Sequence, residues 1–284
     1  MKLCVVVPVL NQAPLATACI DFIQAYSSQD TDIIILDNAS DPVFDYDITH
    51  LKDTRNIKII RLEKNIGVYP TFWEALKYTD ADLIAYFHSD LMLCEEHWDK
   101  KVIGAFMERP NLGLMGFIGS DEIDSMGGRG LGTTSNFMGY DHANSGKDGV
   151  KRSWKGSAAE VHGKRNVGFS NAMVVDGCAM IFRRKVLEQI SQRNNFPPHH
   201  FYDRLLCCEV MEQGYDVGVL GIGCDHISGQ TVNQENAYSI MAEEWCKNHN
   251  INITHNWDDA IYHEAERQWL SEYRDTKHFI PRKA

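Results

Sequence analysis

Short apolar runs recur along the first half of the chain, and a polar turn follows each of them. Runs such as KLCVVVPVL and TDIIILD are continuous and rich in β-branched residues, which is typical of strands buried on both faces of a sheet. Between these runs, APLATACIDFIQAYSS and YPTFWEALKYTD carry apolar residues at helical spacing. Strands that alternate with helices in this way predict an α/β layer with a mostly parallel sheet.

The polar turns fall at the carboxyl ends of the first four predicted strands. They are Asn11-Gln12, Asp37-Asn38-Ala39-Ser40, Asn65-Ile66-Gly67 and His88-Ser89-Asp90. Because ligands bind at the carboxyl ends of parallel strands, turns that gather at one edge of the sheet predict a binding site. Each turn taken alone is also explained by the preference of turns for Asp, Asn, Ser and Gly.

The second half of the chain has a less regular pattern. LGLMGFIGS predicts a further strand, and residues 120–168 are rich in Gly, Ser, Asn and charge without periodicity. A segment of this length is typical of a functional loop or of disorder. Order resumes with a strand that turns at Asp176-Gly177, and a later helix closes at Gly214. The stretch from Val232 onward carries three tryptophans among charges and predicts a helical tail.

Composition narrows the classes of function. The chain has 28 Lys and Arg against 39 Asp and Glu, and the net charge of −11 argues against a nucleic-acid-binding protein. Its eight cysteines form no CxxC pair and predict a reducing, cytoplasmic location. No apolar segment approaches the roughly 20 residues of a transmembrane helix, and the N-terminus is typical of a first strand, not of a signal peptide.

The motifs, taken in order, resemble those of the family-2 glycosyltransferases, which are inverting enzymes of the GT-A fold. VVVPVLNQ is similar to their opening strand and loop, and ILDNAS to the loop that holds the base and ribose. EKNIGVYPTFWEAL is similar to their Asn-x-Gly segment, and FHSDLML to their acidic metal-binding motif. Among later segments, VDGCAMIFRRKVLEQI is similar to the strand and helix that face the acceptor. FYDRLLCCEVMEQGYDVGVL is similar to the segment that carries the general base, and CDHISGQT to the segment whose histidine completes the metal site.

The resemblance implies a fold and a division of the chain. The fold is a GT-A domain with a single, mostly parallel, Rossmann-like sheet flanked by helices and followed by a C-terminal helical tail. The GT-A domain spans residues 1–231, and a helical extension spans 232–284. Within the domain, residues 1–95 are the nucleotide-sugar-binding half and 96–231 the acceptor-binding half. We make no prediction of the oligomeric state.

The implied activity is metal-dependent transfer of a sugar from a nucleotide-sugar donor to a hydroxyl of a glycan or other acceptor. UDP is the expected nucleotide because it is the commonest in the family. Asp203 is the candidate general base, and Asp90 and His226 are the candidate ligands of Mn²⁺ or Mg²⁺. The expected donor-binding residues are Pro8, Asn11, Asp37, Ser40, Asn65, Gly67, His88, Ser89, Asp176 and Gly177.

Two positions depart from the family pattern. His88 stands where the family has the first carboxylate of its acidic motif, and Tyr202 stands where it has the Glu that precedes Asp203. His88 could contact the ribose or simply end its strand. Asp203 could only cap or stabilise the first turn of a helix, and His226 could be an ordinary hydrogen-bonded histidine after a strand. These departures leave open a non-catalytic nucleotide- or sugar-binding protein. A Rossmann dehydrogenase is not indicated, because GGRGLG follows no predicted first strand.

Overall fold

The computed structural model describes residues 1–28, 31–46, 57–128, 133–135, 164–226 and 235–274. Strands and helices alternate through most of these residues, as predicted. The strands are, in chain order, β1 (Leu3–Val9), β2 (Asp32–Asp37), β3 (Ile57–Arg61), β4 (Leu83–Phe87), β5 (Leu91–Leu93), β6 (Leu112–Gly116), β7 (Ile118–Ser120), β8 (Thr133–Ser135), β9 (Lys164–Arg165), β10 (Phe169–Ala172), β11 (Val174–Val175), β12 (Ala179–Arg183), β13 (Asp216–Leu220) and β14 (Cys224–His226). The helices are α1 (Ala13–Tyr26), α2 (Thr71–Leu76), α3 (Trp98–Glu108), α4 (Arg184–Gln189), α5 (Tyr202–Glu212), α6 (Glu235–Asn248) and α7 (Trp257–Tyr273).

Eight strands form the central sheet, in the order β10-β13-β6-β12-β4-β1-β2-β3. β1 pairs in parallel with β2 and β4, and β2 pairs in parallel with β3. β12 lies antiparallel between β4 and β6, β13 is parallel to β6, and β10 is antiparallel at the far edge. The mostly parallel sheet of the GT-A fold is therefore confirmed.

The apolar runs account for the central position of β1 and β4. In β1, Cys4 and Val6 pack into the core on one face, and Val5 and Val7 pack into the core on the other. A strand covered on both faces needs a continuous apolar run, because its side chains alternate between the two faces. By contrast, β3 is a partly exposed edge strand, and its sequence IKIIR carries two basic residues.

The described residues 235–274 consist mainly of α6 and α7, in agreement with the predicted helical tail, and α7 packs beside the start of α5. Trp269 of α7 is buried, and its ring lies 6.2 Å from that of Phe201, directly before α5. α5 ends before Gly214, whose φ of +82° is the left-handed conformation that the predicted helix end requires. The predicted boundary between 231 and 232 lies outside the described residues, as does most of the irregular segment 120–168.

None of the helices in the described residues combines the length and the apolar character that crossing a membrane requires.

Candidate active site

The candidate site lies at the carboxyl ends of β1 and β4, which are neighbours near the middle of the large sheet. β4 ends at Phe87, and His88 and Asp90 stand in the turn that follows it. The next strand, β5, pairs antiparallel with β14 and places His226 opposite the residue that follows Asp90. Two segments that are far apart in the sequence therefore meet at one turn.

Three side chains at this turn form a cluster of the kind that binds metal ions. His226 Nε2 lies 3.2 Å from Asp90 Oδ1, and His88 Nδ1 lies 3.9 Å from the same oxygen. One ligand atom from each residue lies within 4.8 Å of the others. Asp90 is buried, and its Oδ1 accepts no hydrogen bond of regular geometry from the described residues. These donors fit a divalent cation, because a buried carboxylate is costly without a positive partner.

Burial and charge act in opposite directions on the three groups. Burial lowers the pKa of His88, and the nearby Asp90 carboxylate offsets this effect only in part. Burial would also lower the pKa of His226, but the contact with Asp90 outweighs it and raises the pKa. Burial would raise the pKa of Asp90, but the contact with His226 leaves it below its usual value. Asp90 is therefore ionised at neutral pH, and His88 is neutral.

Asp203 lies in the first turn of α5 and lines the same cleft. Phe201, the residue before the helix, has a φ of +53°, so the chain turns sharply there. Arg204 donates to Asp203 Oδ1 from its backbone nitrogen and from Nη1, each at 2.9 Å. Arg204 Nε also donates to the Gly127 carbonyl at 2.6 Å. Asp203 is therefore fixed through one oxygen at the positive end of a helix.

The loops after β2 and β3 are joined by side-chain amides. Asn38 donates from Nδ2 to Asn65 Oδ1 at 2.9 Å and to the Gly67 carbonyl at 3.1 Å, and it accepts from the Ile66 nitrogen at 2.9 Å. Gly67 has a φ of +79°, and a Cβ there would lie 2.4 Å from Cβ of Pro198. Only glycine therefore fits this turn, and Asn38 is held where it lines the cleft.

Asp37 supports the same loop from behind. It is buried, its Oδ2 accepts from Arg61 Nη1 at 2.5 Å, and its Oδ1 accepts from the Ser40 nitrogen at 2.8 Å. Ser40 Oγ in turn accepts from the Asn11 nitrogen at 3.0 Å, and Asn11 Oδ1 accepts from the Asp41 nitrogen at 2.7 Å. The loops after β1 and β2 are thus linked by hydrogen bonds that begin at Asp37.

Aromatic rings from three separate segments form part of the cleft wall. His199, His200 and Phe201 precede α5, Tyr238 lies in α6, and Tyr262 lies in α7. The ring of Tyr238 is 5.3 Å from that of His199, and the ring of Tyr262 is 5.4 Å from His200 and 5.2 Å from Phe201. The C-terminal helices therefore contribute directly to the cleft.

The structure brings most of the predicted site residues together. The predicted residues that line the cleft are Pro8, His88, Ser89, Asp90, Asp176, Gly177, Asp203 and His226. The remaining ones belong to the hydrogen-bonded loops around Asn38 and do not line the cleft themselves; they are Asn11, Asp37, Ser40, Asn65 and Gly67.

Gln12 and Asn38 belong to the polar turns that predicted the site, although they were not among the expected donor-binding residues. Sequence reasoning missed the other lining residues, which are Val9, Leu10, Val68, His199, His200, Phe201, Tyr202, Arg204, Tyr238 and Tyr262. The pair His199-His200 directly before a predicted helix was a usable signal, because helix N-termini at strand ends often face ligands. Nothing in the local sequence marks Tyr238 or Tyr262, since their position depends on how α6 and α7 pack.

Comparison with known proteins agrees with this geometry. The profile of a glycosyltransferase-like family matches residues 46–273, which is most of the chain. The chain belongs to this glycosyltransferase family. The structure also resembles a mannosyltransferase from Pyrobaculum calidifontis solved in complex with GDP-mannose and Mn²⁺, with a TM-score of 0.51 and 13% identity. That match covers 96% of this chain and 70% of the mannosyltransferase. No curated protein matches the chain.

The structural likeness is evidence for the fold, and the family match is evidence for the class of enzyme. The matched region of the glycosyltransferase extends through α6 and α7, so it includes the helices that carry Tyr238 and Tyr262. It also includes the turn after β4, the start of α5 and β14, which hold Asp90, Asp203 and His226. The resemblance to family-2 glycosyltransferases is therefore confirmed.

Proposed function

We propose that this glycosyltransferase moves a sugar from a nucleoside diphosphate sugar to a hydroxyl group of a glycan-type acceptor, with inversion at the anomeric carbon. The observation that carries the proposal is a single cleft that contains both the His88–Asp90–His226 cluster and the carboxylate of Asp203. The cluster is suited to a cation beside a diphosphate, and the carboxylate is suited to taking a proton from an alcohol.

Asp90 and His226 would hold the divalent ion, Mn²⁺ or Mg²⁺. Asp90 Oδ1 and His226 Nε2 lie 3.2 Å apart and are both buried, and this geometry fits two ligands of one ion. When bound, such an ion stabilises the negative charge that develops on the diphosphate leaving group. An imidazole ligand favours Mn²⁺ over Mg²⁺, because Mg²⁺ prefers oxygen ligands.

The loops after β1, β2 and β3 would bind the nucleoside. Asn38, Pro8 and Val9 line the same cleft as Asp90. The hydrogen bonds of Asn38 to Asn65, Ile66 and Gly67 fix the loops before the ligand arrives, which lowers the entropic cost of binding. UDP remains the expected nucleotide, and the GDP-mannose bound by the structural neighbour makes a GDP-sugar the first alternative to test.

Asp203 would act as the general base. A single in-line displacement inverts the sugar and needs one group that removes the proton of the attacking hydroxyl. Asp203 lines the cleft, and its hydrogen bonds from Arg204 hold the carboxylate in one orientation. The proton of the acceptor hydroxyl would pass to Asp203 as the oxygen bonds to the anomeric carbon and the diphosphate leaves.

The proposal is tested first by ligand-induced stabilisation and then by product chemistry. UDP-, GDP- and dTDP-sugars are screened for a rise in melting temperature in the presence of Mn²⁺, because a ligand that binds the folded state stabilises it by mass action. The donor that binds is then incubated with candidate saccharides, and proton NMR of the product gives its anomeric configuration. Stabilisation by one nucleotide class and an inverted product are expected. Retained configuration, or no stabilisation by any nucleotide sugar, would contradict the proposal.

A further inference from the structure

The two positions at which the chain departs from the family pattern contact each other. His88 Nε2 lies 2.8 Å from the hydroxyl of Tyr202. Tyr202 is buried, and its hydroxyl occupies space that exists because residue 177 is a glycine: a Cβ there would lie 2.4 Å from that oxygen. His88, Tyr202 and Gly177 therefore fit together as a unit at the floor of the cleft.

This contact pairs one nitrogen of His88 and leaves the other beside Asp90. Nε2 has its partner at 2.8 Å in the Tyr202 hydroxyl, which can accept a proton from the ring or donate one to it. Nδ1 lies 3.9 Å from Asp90 Oδ1, which is too far for a hydrogen bond. A metal ion on Nδ1 requires the tautomer in which Nε2 donates to the hydroxyl oxygen, and the Tyr202 contact allows that tautomer. Metal-bound histidines are held in the same way, because a partner on the outer nitrogen fixes the tautomer.

We propose that His88 Nδ1, Asp90 and His226 Nε2 form a three-side-chain site that binds a divalent transition-metal ion before any nucleotide arrives, with Tyr202 as the positioning residue of His88. The inference rests on the proposed function only in taking this ion to be the one used in sugar transfer. It adds His88 to the two ligands proposed above, and it states that three side chains are enough to bind the ion without the diphosphate.

The spacing of the ligand atoms supports the inference. Neighbouring atoms that bind one ion at about 2.1 Å lie roughly 3.0–3.4 Å apart in octahedral or tetrahedral geometry. The distance from Asp90 Oδ1 to His226 Nε2 is 3.2 Å and falls within this range, whereas the distance to His88 Nδ1 is 3.9 Å, so the His88 ring has to move slightly toward Asp90 to bind the same ion. All three ligand atoms are drawn from residues that line the cleft, so an ion bound there is reachable by a substrate.

A second cluster competes for His226. Asp176, Cys178 and His226 also bring one ligand atom each within 4.8 Å of the others. Cys178 is buried and has to lose a proton to bind as a thiolate, whereas a neutral imidazole binds through a lone pair without losing one. Asp176 Oδ1 also accepts a hydrogen bond from the Cys178 nitrogen at 2.9 Å. The set that contains His88 is therefore the better one, and a variant of Cys178 separates the two.

The two imidazoles and one carboxylate of the site also determine which divalent ions it prefers. A site with nitrogen ligands binds divalent first-row ions more tightly in the order Mn²⁺ then Co²⁺, whereas Mg²⁺ is held mainly by oxygen. We therefore expect the purified protein to bind Mn²⁺ and Co²⁺ more tightly than Mg²⁺. The His88→Asp variant restores the carboxylate that the family pattern has at this position, and it should shift the preference toward Mg²⁺.

The test is calorimetric titration of the metal-free full chain with MnCl₂, CoCl₂ and MgCl₂, in the absence of nucleotide. The wild type should bind Mn²⁺ at one site per chain. Tyr202→Phe keeps the ring and all three ligands but removes the partner of Nε2, and it should weaken Mn²⁺ binding about 10- to 100-fold. His88→Ala should weaken it further. Tyr46→Phe is the matched control, because Tyr46 is also a buried tyrosine with a hydrogen-bonded hydroxyl, which donates to Asp21 Oδ1, and neither residue lines the cleft.

Pulsed electron paramagnetic resonance of the Mn²⁺-loaded protein supplies a direct count of coordinated imidazole nitrogens. Two are expected in the wild type, in Tyr46→Phe and in Cys178→Ala, and one in His88→Ala. One imidazole in the wild type, or equal Mn²⁺ affinity for wild type and His88→Ala, would overturn the inference. Loss of Mn²⁺ binding in Cys178→Ala, with its melting temperature maintained, would assign the ion to the other cluster.

The outcomes separate this inference from the proposed function. If Mn²⁺ fails to bind the free protein but EDTA still abolishes sugar transfer, the three-side-chain site is wrong and the function stands. If Mn²⁺ binds through two imidazoles but no nucleotide sugar is bound or turned over, the site stands and the proposed function is wrong.

Discussion

His226 Nε2 lies 3.2 Å from Asp90 Oδ1, although one residue ends β14 and the other follows β4. The antiparallel pairing of β5 with β14 produces this approach, because it sets the end of one strand beside the start of the other. Both side chains are largely buried, so the pair is held in a medium where charges interact strongly. A late segment of the chain thus completes a site that an early strand begins.

Metal removal should abolish sugar transfer. EDTA is expected to eliminate activity with the donor identified by thermal shift, and added Mn²⁺ is expected to restore it. Asp90→Asn and His226→Ala should each lose most of this response, because each removes a ligand from the cluster. His263→Ala is the control, since His263 lies exposed on α7 and should leave the response to Mn²⁺ unchanged. Full activity in EDTA would refute the metal site.

Asp203→Asn should reduce turnover while donor binding survives. The variant keeps the size and much of the hydrogen bonding of the side chain but cannot take a proton, so kcat should fall by about 10²–10⁴. The N-cap position of α5 belongs to Phe201, and the helix has no side-chain cap hydrogen bond, so loss of a cap would not explain such a change. Single-turnover kinetics and calorimetry with donor measure the two effects separately.

The control for this variant is Asp216→Asn at the start of β13, where the carboxylate accepts from Asn111 on the protein surface. Its turnover should match that of the wild type. A turnover of Asp203→Asn within a few-fold of the wild type would mean that another group is the base, and Asp176, which lines the same cleft, is the next residue to test.

The sequence was sufficient to predict the strands of the sheet and the turn that carries Asp90. These features depend on short apolar runs and on turn residues directly after them, so the information is local. Asp203 and His226 were named through the family resemblance, because local pattern alone fits a helix start and a strand end equally well. The family resemblance then supplied roles that the pattern alone left open.

Other parts of the site could not be predicted because they depend on packing between distant segments. Asp37 follows the same pattern as the lining residues, but its two oxygens are taken by Ser40 and Arg61, so it supports the loop from outside the cleft. The contact between His88 and Tyr202 joins β4 to α5. In the sequence, His88 and Tyr202 each stood out only as a departure from the family pattern. The residues around them did not indicate that the two side chains contact each other.

Asp37→Ala should weaken nucleotide binding by about 1–3 kcal/mol, which is the usual cost of leaving a buried hydrogen-bonding group without its partner. The reason is indirect in this structure, because Asp37 holds Ser40 and Arg61 and thereby the loop that presents Asn38. Arg61→Met should produce a loss in the same direction. Calorimetry with the nucleotide, together with urea denaturation to measure stability, checks both variants.

The matched control is Asp32→Ala at the opposite end of β2, where the carboxylate makes an exposed ion pair with Lys2 at 3.0 Å. This change should leave nucleotide affinity as in the wild type. Unchanged affinity in Asp37→Ala would show that the loop keeps its shape without the carboxylate, and the assignment of Asp37 to nucleotide binding would be wrong.

Tyr262→Ala should raise the KM for the acceptor more than that for the donor. The ring of Tyr262 is partly exposed in the cleft wall and contacts His200 and Phe201, so it offers an apolar surface to a saccharide ring. An aromatic contact of this kind is worth about 0.5–1.5 kcal/mol, which corresponds to roughly a 2- to 10-fold change in KM. Steady-state kinetics with each substrate varied in turn measures it. An equal KM for the acceptor in variant and wild type would place the acceptor elsewhere.

His199 should make the protein sensitive to acid. Burial, followed by the nearby charges of His200 and His88, lowers the pKa of His199 to about 3, and Asp258 opposes this shift only weakly. The unfolded chain binds a proton at an ordinary pKa of about 6.5, so between these values the unfolded state holds a proton that the folded state lacks. The stabilisation from a neutral His199 is complete above about pH 6.5 and is lost as the pH falls toward 3.

Urea denaturation across this pH range tests whether the free energy of unfolding falls with falling pH and whether His199 is the cause. From pH 6.5 to pH 5 the contribution of His199 to the free energy of unfolding should fall by up to about 2 kcal/mol, since each pH unit is worth about 1.4 kcal/mol. His199→Leu should remove the contribution of His199 to the dependence of the free energy of unfolding on pH. His226, whose pKa is raised, contributes with the opposite sign, but it does so equally in the wild type and in His199→Leu. The exposed His263→Gln should keep the slope of the wild type. Parallel stability curves for the wild type and His199→Leu between pH 6.5 and 5 would show that the imidazole takes up its proton in the folded state.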